Sequence, residues 1–251
     1  MQPDTPVLTQ QAGTLAQSQN RVLRNTYLLL ALSMVPTVLG AIIGVQMNFT
    51  FFAGSPALGF MLFLGIAFGF FYGIEKTKNS SMGVVLLLAF TFFMGLMLSR
   101  MLGAVLGLKN GGNLIAFAFG GTSVIFFAMA TLASSIKKDL SGMGKFLFVG
   151  VILLLVASFA NIFLQIPALM ITVSVIAIAI FSAYMLFDIN RIVTGGETNY
   201  ITATLAIYLD VYNVLNGADI LQTTTAYGPR WLLPNQIVEG RLFQFGAQLS
   251  F

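Results

Sequence analysis

Three aspartates, Asp188, Asp210 and Asp219, stand in or at the ends of apolar runs in a chain that has neither histidine nor cysteine. Their absence removes the side chains most used for hydrolytic triads, zinc, haem and iron–sulfur ligation. What carboxylates in apolar surroundings can still do is exchange protons and hold hard cations. Asp188 lies in Phe187-Asp188-Ile189-Asn190, and Asp210 in Tyr208-Leu209-Asp210-Val211-Tyr212-Asn213. A charged aspartate at the centre of a membrane helix costs roughly 2.5–3.5 kcal/mol, so Asp210 is expected to face a protein interior and to have a partner. Asp188 is the obvious candidate. The remaining carboxylates, Asp4, Glu75, Asp139, Glu197 and Glu239, fall in tails or connections and read as solvated.

Two carboxylates within hydrogen-bond reach in a low-dielectric site cannot both ionise cheaply, so they titrate as a unit and sense protons near neutral pH. The alternative is two independent acids, with Asp188 reaching to the interface and Asp210 bonded to tyrosine or asparagine neighbours. On the residues alone both readings stand. Asp188, Asp210, Asn190 and Asn213 also offer the hard oxygens that calcium takes. Nothing resembles an EF-hand loop, which points to transient contact at a permeation or gating site and away from tight static binding.

The elements that must position these residues are membrane helices. Of 251 residues, 57% are hydrophobic and 8% are charged, against roughly 25% charged in an ordinary soluble domain. Seven apolar runs, 27–47, 57–74, 82–102, 114–133, 146–164, 168–187 and 201–221, are each near the roughly 20 residues that cross a bilayer as a helix. The expected fold is therefore an all-α integral membrane protein, a seven-helix bundle. Its last span is expected to be enclosed by the others, because it carries Asp210 and Asn213. Residues 1–25 read as a polar cytoplasmic tail, 26–221 as the membrane domain and 222–251 as an atypical C-terminal tail.

The net charge of +4 does not suggest nucleic acid, because the basic residues sit between the apolar runs and form no patch. Alternate connections carry Arg21, Arg24, Lys76, Lys78, Lys137, Lys138, Lys145 and Arg191, whereas the opposite connections carry only Arg100 and Lys109. This bias places the N-terminus in the cytoplasm and the C-terminus outside. Small residues four apart, at Gly40 and Gly44, at Gly65, Gly69 and Gly73, and at Gly103 and Gly107, permit close helix approach. Packing within one chain is favoured over a homodimer face, so a monomer is expected. The Gly-Gly pairs follow no strand and precede no Lys-Ser or Lys-Thr, so nucleotide binding has no support.

Several segments resemble the Bax inhibitor-1 (transmembrane Bax inhibitor motif) family. These are Phe187 to Ile192, Gly195-Gly196-Glu197-Thr198-Asn199-Tyr200-Ile201 and Ala206 to Asn213, with Phe119-Gly120-Gly121-Thr122, Lys137-Lys138-Asp139-Leu140-Ser141 and Asn161-Ile162-Phe163-Leu164-Gln165 upstream. The resemblance runs from about Arg21 to Asn213 and is similar to bacterial members. It implies a bacterial inner-membrane protein of seven helices with the last one central, and a calcium leak closed by a pH-sensing aspartate pair. Carried over by residue, that pair is Asp188 and Asp210. A basic latch near the end of the second helix falls on Lys76 or Lys78, although lysine lacks the fork of an arginine.

Two other functions are weighed against the leak. A non-conducting partner or modulator of a membrane protease or secretion complex is a role implied by some bacterial relatives, with the N-terminal tail as its handle. An intramembrane aspartyl protease ranks last, because Ile207-Tyr208-Leu209 precedes Asp210 where Gly-x-Gly is needed. No enzymatic activity and no bound cofactor are expected. Beyond Asn213 the chain departs from the family pattern: Asn216, Gly217 and Asp219 interrupt the expected apolar ending, and a shifted reading frame or fused sequence would explain the segment that follows.

Overall fold

The computed structural model describes residues 5–50, 56–164, 166–217, 220–223 and 234–237. Among these are seven helices: α1 (Thr5–Gln46), α2 (Pro56–Thr77), α3 (Ser81–Leu106), α4 (Gly111–Ser135), α5 (Met143–Leu164), α6 (Pro167–Val193) and α7 (Tyr200–Gly217). Five contain stretches long and apolar enough to cross a membrane: Gln17–Gln46 of α1, α3, α4, Met143–Asn161 of α5, and α6. The apolar stretch of α7, Tyr200–Leu215, is shorter.

Three boundaries differ from the sequence expectation. The segment read as a polar tail is helical from Thr5 and continuous with the first apolar run, since after Pro6 it includes the good helix formers Leu, Ala, Gln and Arg and meets no proline before Pro36. Helix α6 passes Phe187 and ends at Val193, so Asp188 is inside the helix. Helix α7 stops at Gly217, four residues short of the expected end, at an Asn-Gly pair that suits helix termination. The chain then forms a short strand, β1 (Ile220–Thr223), antiparallel to β2 (Pro234–Ile237), where an all-helical chain was expected. Asp4, Asp219 and Glu239 lie outside the described residues.

The closest helix pair is α1 with α3, and glycine makes it possible. A Cβ on Gly95 would sit 2.0 Å from the carbonyl oxygen of Thr37, and one on Gly40 would sit 2.3 Å from that of Phe92. On Gly44 it would sit 2.4 Å from the Ser99 hydroxyl oxygen. These glycines let two backbones touch. Gly65, Gly69 and Gly103 instead have nothing within 4 Å of such an atom, so their spacing does not mark a packed face.

Helix α7 packs against α6, α1, α4, α3 and α2. Ile201, Thr204, Ile207, Tyr208, Asn213 and Val214 are all buried. Its polar side chains find partners on two of those neighbours. The Thr204 hydroxyl donates to Tyr200 O of its own helix at 2.6 Å and lies 3.3 Å from Thr26 O of α1, and the Tyr208 and Thr37 hydroxyls lie 2.9 Å apart. The Tyr212 hydroxyl donates to Met94 O of α3 at 3.2 Å. A hydroxyl removed from water without such a partner costs several kcal/mol, roughly 2–7, so these bonds set the rotation of α7. The Tyr208 ring also meets Phe90 edge-on at 6.3 Å.

Candidate functional site

The turn between α6 and α7 places the two aspartates. Gly195 closes α6 with φ +83, a conformation that glycine adopts without a Cβ penalty. A Cβ there would also meet the Gln19 amide nitrogen of α1 at 2.6 Å. Asn199 then starts α7: its Oδ1 accepts from Ile201 N at 2.9 Å and Thr202 N at 3.3 Å, satisfying donors that the first helical turn leaves free. The Asn199 amide nitrogen donates to Lys78 O at 2.8 Å and to Asn79 Oδ1 at 3.0 Å, tying the start of α7 to the α2–α3 connection. With both ends fixed, α6 and α7 run back along each other.

This arrangement brings Asp188 and Asp210 together, within charge and side-chain hydrogen-bonding range of each other. Asp210 is 5% exposed, and its Oδ2 is enclosed with no hydrogen-bond partner among the described residues. Asp188 keeps 13% of its side chain exposed. Arg191, one turn further along α6, sits with Nη1 3.6 Å from Asp188 Oδ1 and Nη2 3.8 Å from Glu197 Oε2. The other Glu197 oxygen accepts from Thr198 N and Asn199 N, each at 2.9 Å. Acid, arginine, acid and helix start therefore form a chain of alternating charge. Tyr184, one turn before Asp188, is within electrostatic range of both aspartates.

The other predicted residues divide. Asn213 lies one turn from Asp210 on the same helix face and is 2% exposed; its amide nitrogen donates to Leu209 O at 2.8 Å. Asn190 meets other partners. Two residues from Asp188 it points to the far side of α6, where it accepts from Leu140 N at 3.1 Å and donates to Ile136 O at 3.0 Å and Lys138 O at 3.2 Å. It clasps the α4–α5 connection. Neither lysine of the expected latch reaches the acids: Lys76 lies over the Tyr72 ring at 5.9 Å, and Lys78 pairs with Glu75. The hydrogen bond to Glu75 holds the Lys78 ammonium above its usual range.

The cation at the acid pair is Arg191, which sequence reasoning assigned to topology alone. The i, i+3 spacing of Asp188 and Arg191 was the available signal. Among the described residues no three acids cluster to hold a metal tightly.

The family model described as inhibitor of apoptosis-promoting Bax1 matches residues 19–224. A Neisseria meningitidis serogroup A protein without an assigned function is 35% identical over 201 residues, which is 79% of this chain and 88% of the relative. The Escherichia coli K12 protein named modulator of FtsH protease YccA is 36% identical over 197 residues, 78% of this chain and 87% of its own length. Its counterpart in Escherichia coli O6:H1, with the same identity and coverage, is named inner membrane protein YccA.

Proposed function

Because the chain belongs to the Bax inhibitor family, we propose that it is an inner-membrane protein of seven spans gathered around α7, with its N-terminus in the cytoplasm, that passes calcium under control of pH. The observation that carries this reading is the meeting of Asp188 and Asp210 on adjacent helices, with one carboxylate oxygen buried and unpartnered. Two carboxyls can hydrogen-bond only when one of them holds a proton, so the pair exists in a shared-proton state and in a doubly ionised state that repels itself. Loss of the proton separates α6 from α7 at this level, and the shared proton draws them together. Arg191 bridges to Glu197 and so carries that change to the turn. The protein acts as a monomer, has no catalytic activity and binds no nucleic acid.

The test is calcium flux into proteoliposomes, from acidic to alkaline pH, with wild type and with Asp188→Asn and Asp210→Asn. Each substitution should abolish the pH dependence, whether the variant is left open or shut. If both variants kept the wild-type profile, the gate would lie elsewhere.

A second reading is favoured by the name of the Escherichia coli relative: modulation of a membrane protease of the FtsH type. It is tested by co-purification of the intact chain with that protease from membranes and by the half-life of the protease's membrane substrates. Asp210→Asn should leave the association intact if binding and gating are separate.

A further inference from the structure

Helices α4 and α5 are exposed over most of their length, and each packs along α6 while forming no seam with the other. They diverge from one point. The Asn190 side chain holds Ile136 O, Lys138 O and Leu140 N; Ile136 caps α4, and Leu140 leads into α5. At 100° per residue, Thr172, Val175, Ala179, Ala183, Leu186 and Asn190 share one face of α6. Along that face Asn190 is buried, Leu186 and Ala183 are half-buried, and Ala179, Val175 and Thr172 are exposed. The Thr172 hydroxyl donates to Ala168 O of its own helix at 2.9 Å, which leaves the strip apolar. Helix α5 meets α6 to one side of it: a Cβ on Gly144 would sit 3.0 Å from Phe187 Cζ, and one on Gly150 2.9 Å from Ile180 Cδ1. Among the described residues the strip is thus the floor of a groove that opens as it leaves the α4–α5 connection.

The mouth of this groove is cationic. Lys137, Lys138 and Lys145 are exposed, and three lysines against the one Asp139 leave residues 136–145 with a net charge of +2. Asp139 Oδ1 already accepts from the Ser141 amide at 2.8 Å and the Ser141 hydroxyl at 2.5 Å. The three bonds to Asn190 fix the backbone that carries Lys137 and Lys138, so little order is lost when they meet an anion. We propose that the groove holds one anionic phospholipid, with its phosphate among Lys137, Lys138 and Lys145 and an acyl chain along α6. Basic pockets between membrane helices suit such headgroups, whereas a zwitterionic lipid brings a cation of its own to the lysines. From Asn190 to Ala179 the helix rises about 16 Å at 1.5 Å per residue, close to the roughly 15 Å that one leaflet of a 30 Å hydrocarbon core supplies. A chain whose headgroup sits at the connection therefore reaches the point where the strip opens. An apolar helix of a partner protein would cover the floor but leave the lysines without counter-charge. The strip lies on the side of α6 opposite Asp188, so the site needs no part of the leak reading.

The experiment places a tryptophan on the floor, by Ala179→Trp and separately by Val175→Trp, in the full chain carrying Trp231→Phe, which removes its one native tryptophan. The chain is reconstituted into vesicles of phosphatidylcholine with increasing phosphatidylglycerol, either lipid bearing brominated chains, which quench tryptophan on contact. Quenching should show phosphatidylglycerol favoured by about tenfold at low salt, and the preference should fall as salt rises. Val35→Trp, on an exposed face of α1, should show no preference. Joint Lys137→Gln, Lys138→Gln and Lys145→Gln should bring the ratio close to one. Quenching by brominated phosphatidylcholine should persist in that variant, which shows that the groove is still formed. Equal affinity for the two lipids with the lysines present overturns the proposal, as does a preference that survives their loss. Quenching by neither lipid overturns it too, because protein then covers the floor.

Discussion

Substituting Gly95 by alanine tests the most sharply defined contact in the fold. The added carbon would lie 2.0 Å from Thr37 O, 2.8 Å from Thr37 C and 3.0 Å from Ala41 N, all backbone atoms of α1. No side chain can rotate out of the way. Restoring an ordinary contact requires α1 and α3 to part by more than about 1 Å, a gap that forfeits much of the dispersion energy along the seam. The Gly40 and Gly44 crossings open with it. An added methylene in a packed site typically costs about 1–3 kcal/mol, and rigid backbone on both sides puts this case at the upper end. For a chain of this size that corresponds to a fall of roughly 6–12 °C in Tm, at about 2–4 °C per kcal/mol. The damage also reaches α7, because Thr37 is the residue whose hydroxyl meets Tyr208. The assay is thermal unfolding in detergent, with Gly103→Ala as control, since nothing lies within 4 Å of a Cβ there. The control should stay within about 0.5 kcal/mol of wild type, as surface changes do. If Gly95→Ala melts with the control, the α1–α3 seam is not packed as described.

If the proposed leak holds, Arg191→Gln should shift the pH midpoint of calcium flux, whereas Lys76→Gln and Lys78→Gln should leave it in place, because among the described residues Arg191 is the cation beside Asp188. Asn190→Ala removes three hydrogen bonds to the α4–α5 connection and should lower stability by about 2–4 kcal/mol while opening residues 136–141 to protease; an unchanged digestion pattern would contradict the clasp. Asp139 in that connection is held below the usual carboxylate range, first by the Ser141 hydroxyl and then by the Ser141 amide. A lowered folded-state pKa stabilises the turn above the unfolded value, and that support is lost as pH falls through the folded value. Protection of the Ser141 amide from hydrogen exchange should fade over that acid window in wild type, and Asp139→Asn should make it insensitive to pH.

The membrane helices were legible because an apolar run about 20 residues long has few other readings. The acid pair was legible for a similar reason: a buried aspartate needs a partner, and a short turn leaves little choice of neighbour. What escaped depended on rotation and reach. Asn190 and Asp188 are two residues apart and both polar, yet they face opposite sides of α6, and only the helix end extended to Val193 shows that. On sequence the latch falls near the end of α2, at Lys76 or Lys78, and Arg191 reads as a topology charge. Glycine spacing located the seam at Gly40 and Gly44, missed Gly95, and flagged Gly65 and Gly103 where space is open. Spacing says which residues share a face, not what that face meets.

The polar slots that receive α7 have a consequence for synthesis. Thr26, Thr37 and Met94 all belong to α1 and α3, which precede α7 in the chain and meet each other at Gly40, Gly44 and Gly95. The α7 segment is short and carries an aspartate, so it partitions poorly into lipid on its own. Its polar side chains meet groups on α1 and α3, so α7 behaves as a ligand of the first and third helices. A chain truncated before Tyr200 should then keep the α1–α3 pair and expose an aromatic, hydroxyl-lined cleft of the kind that membrane quality-control machinery engages. Supplying α7 as a separate peptide should close that cleft, in the manner of fragment complementation.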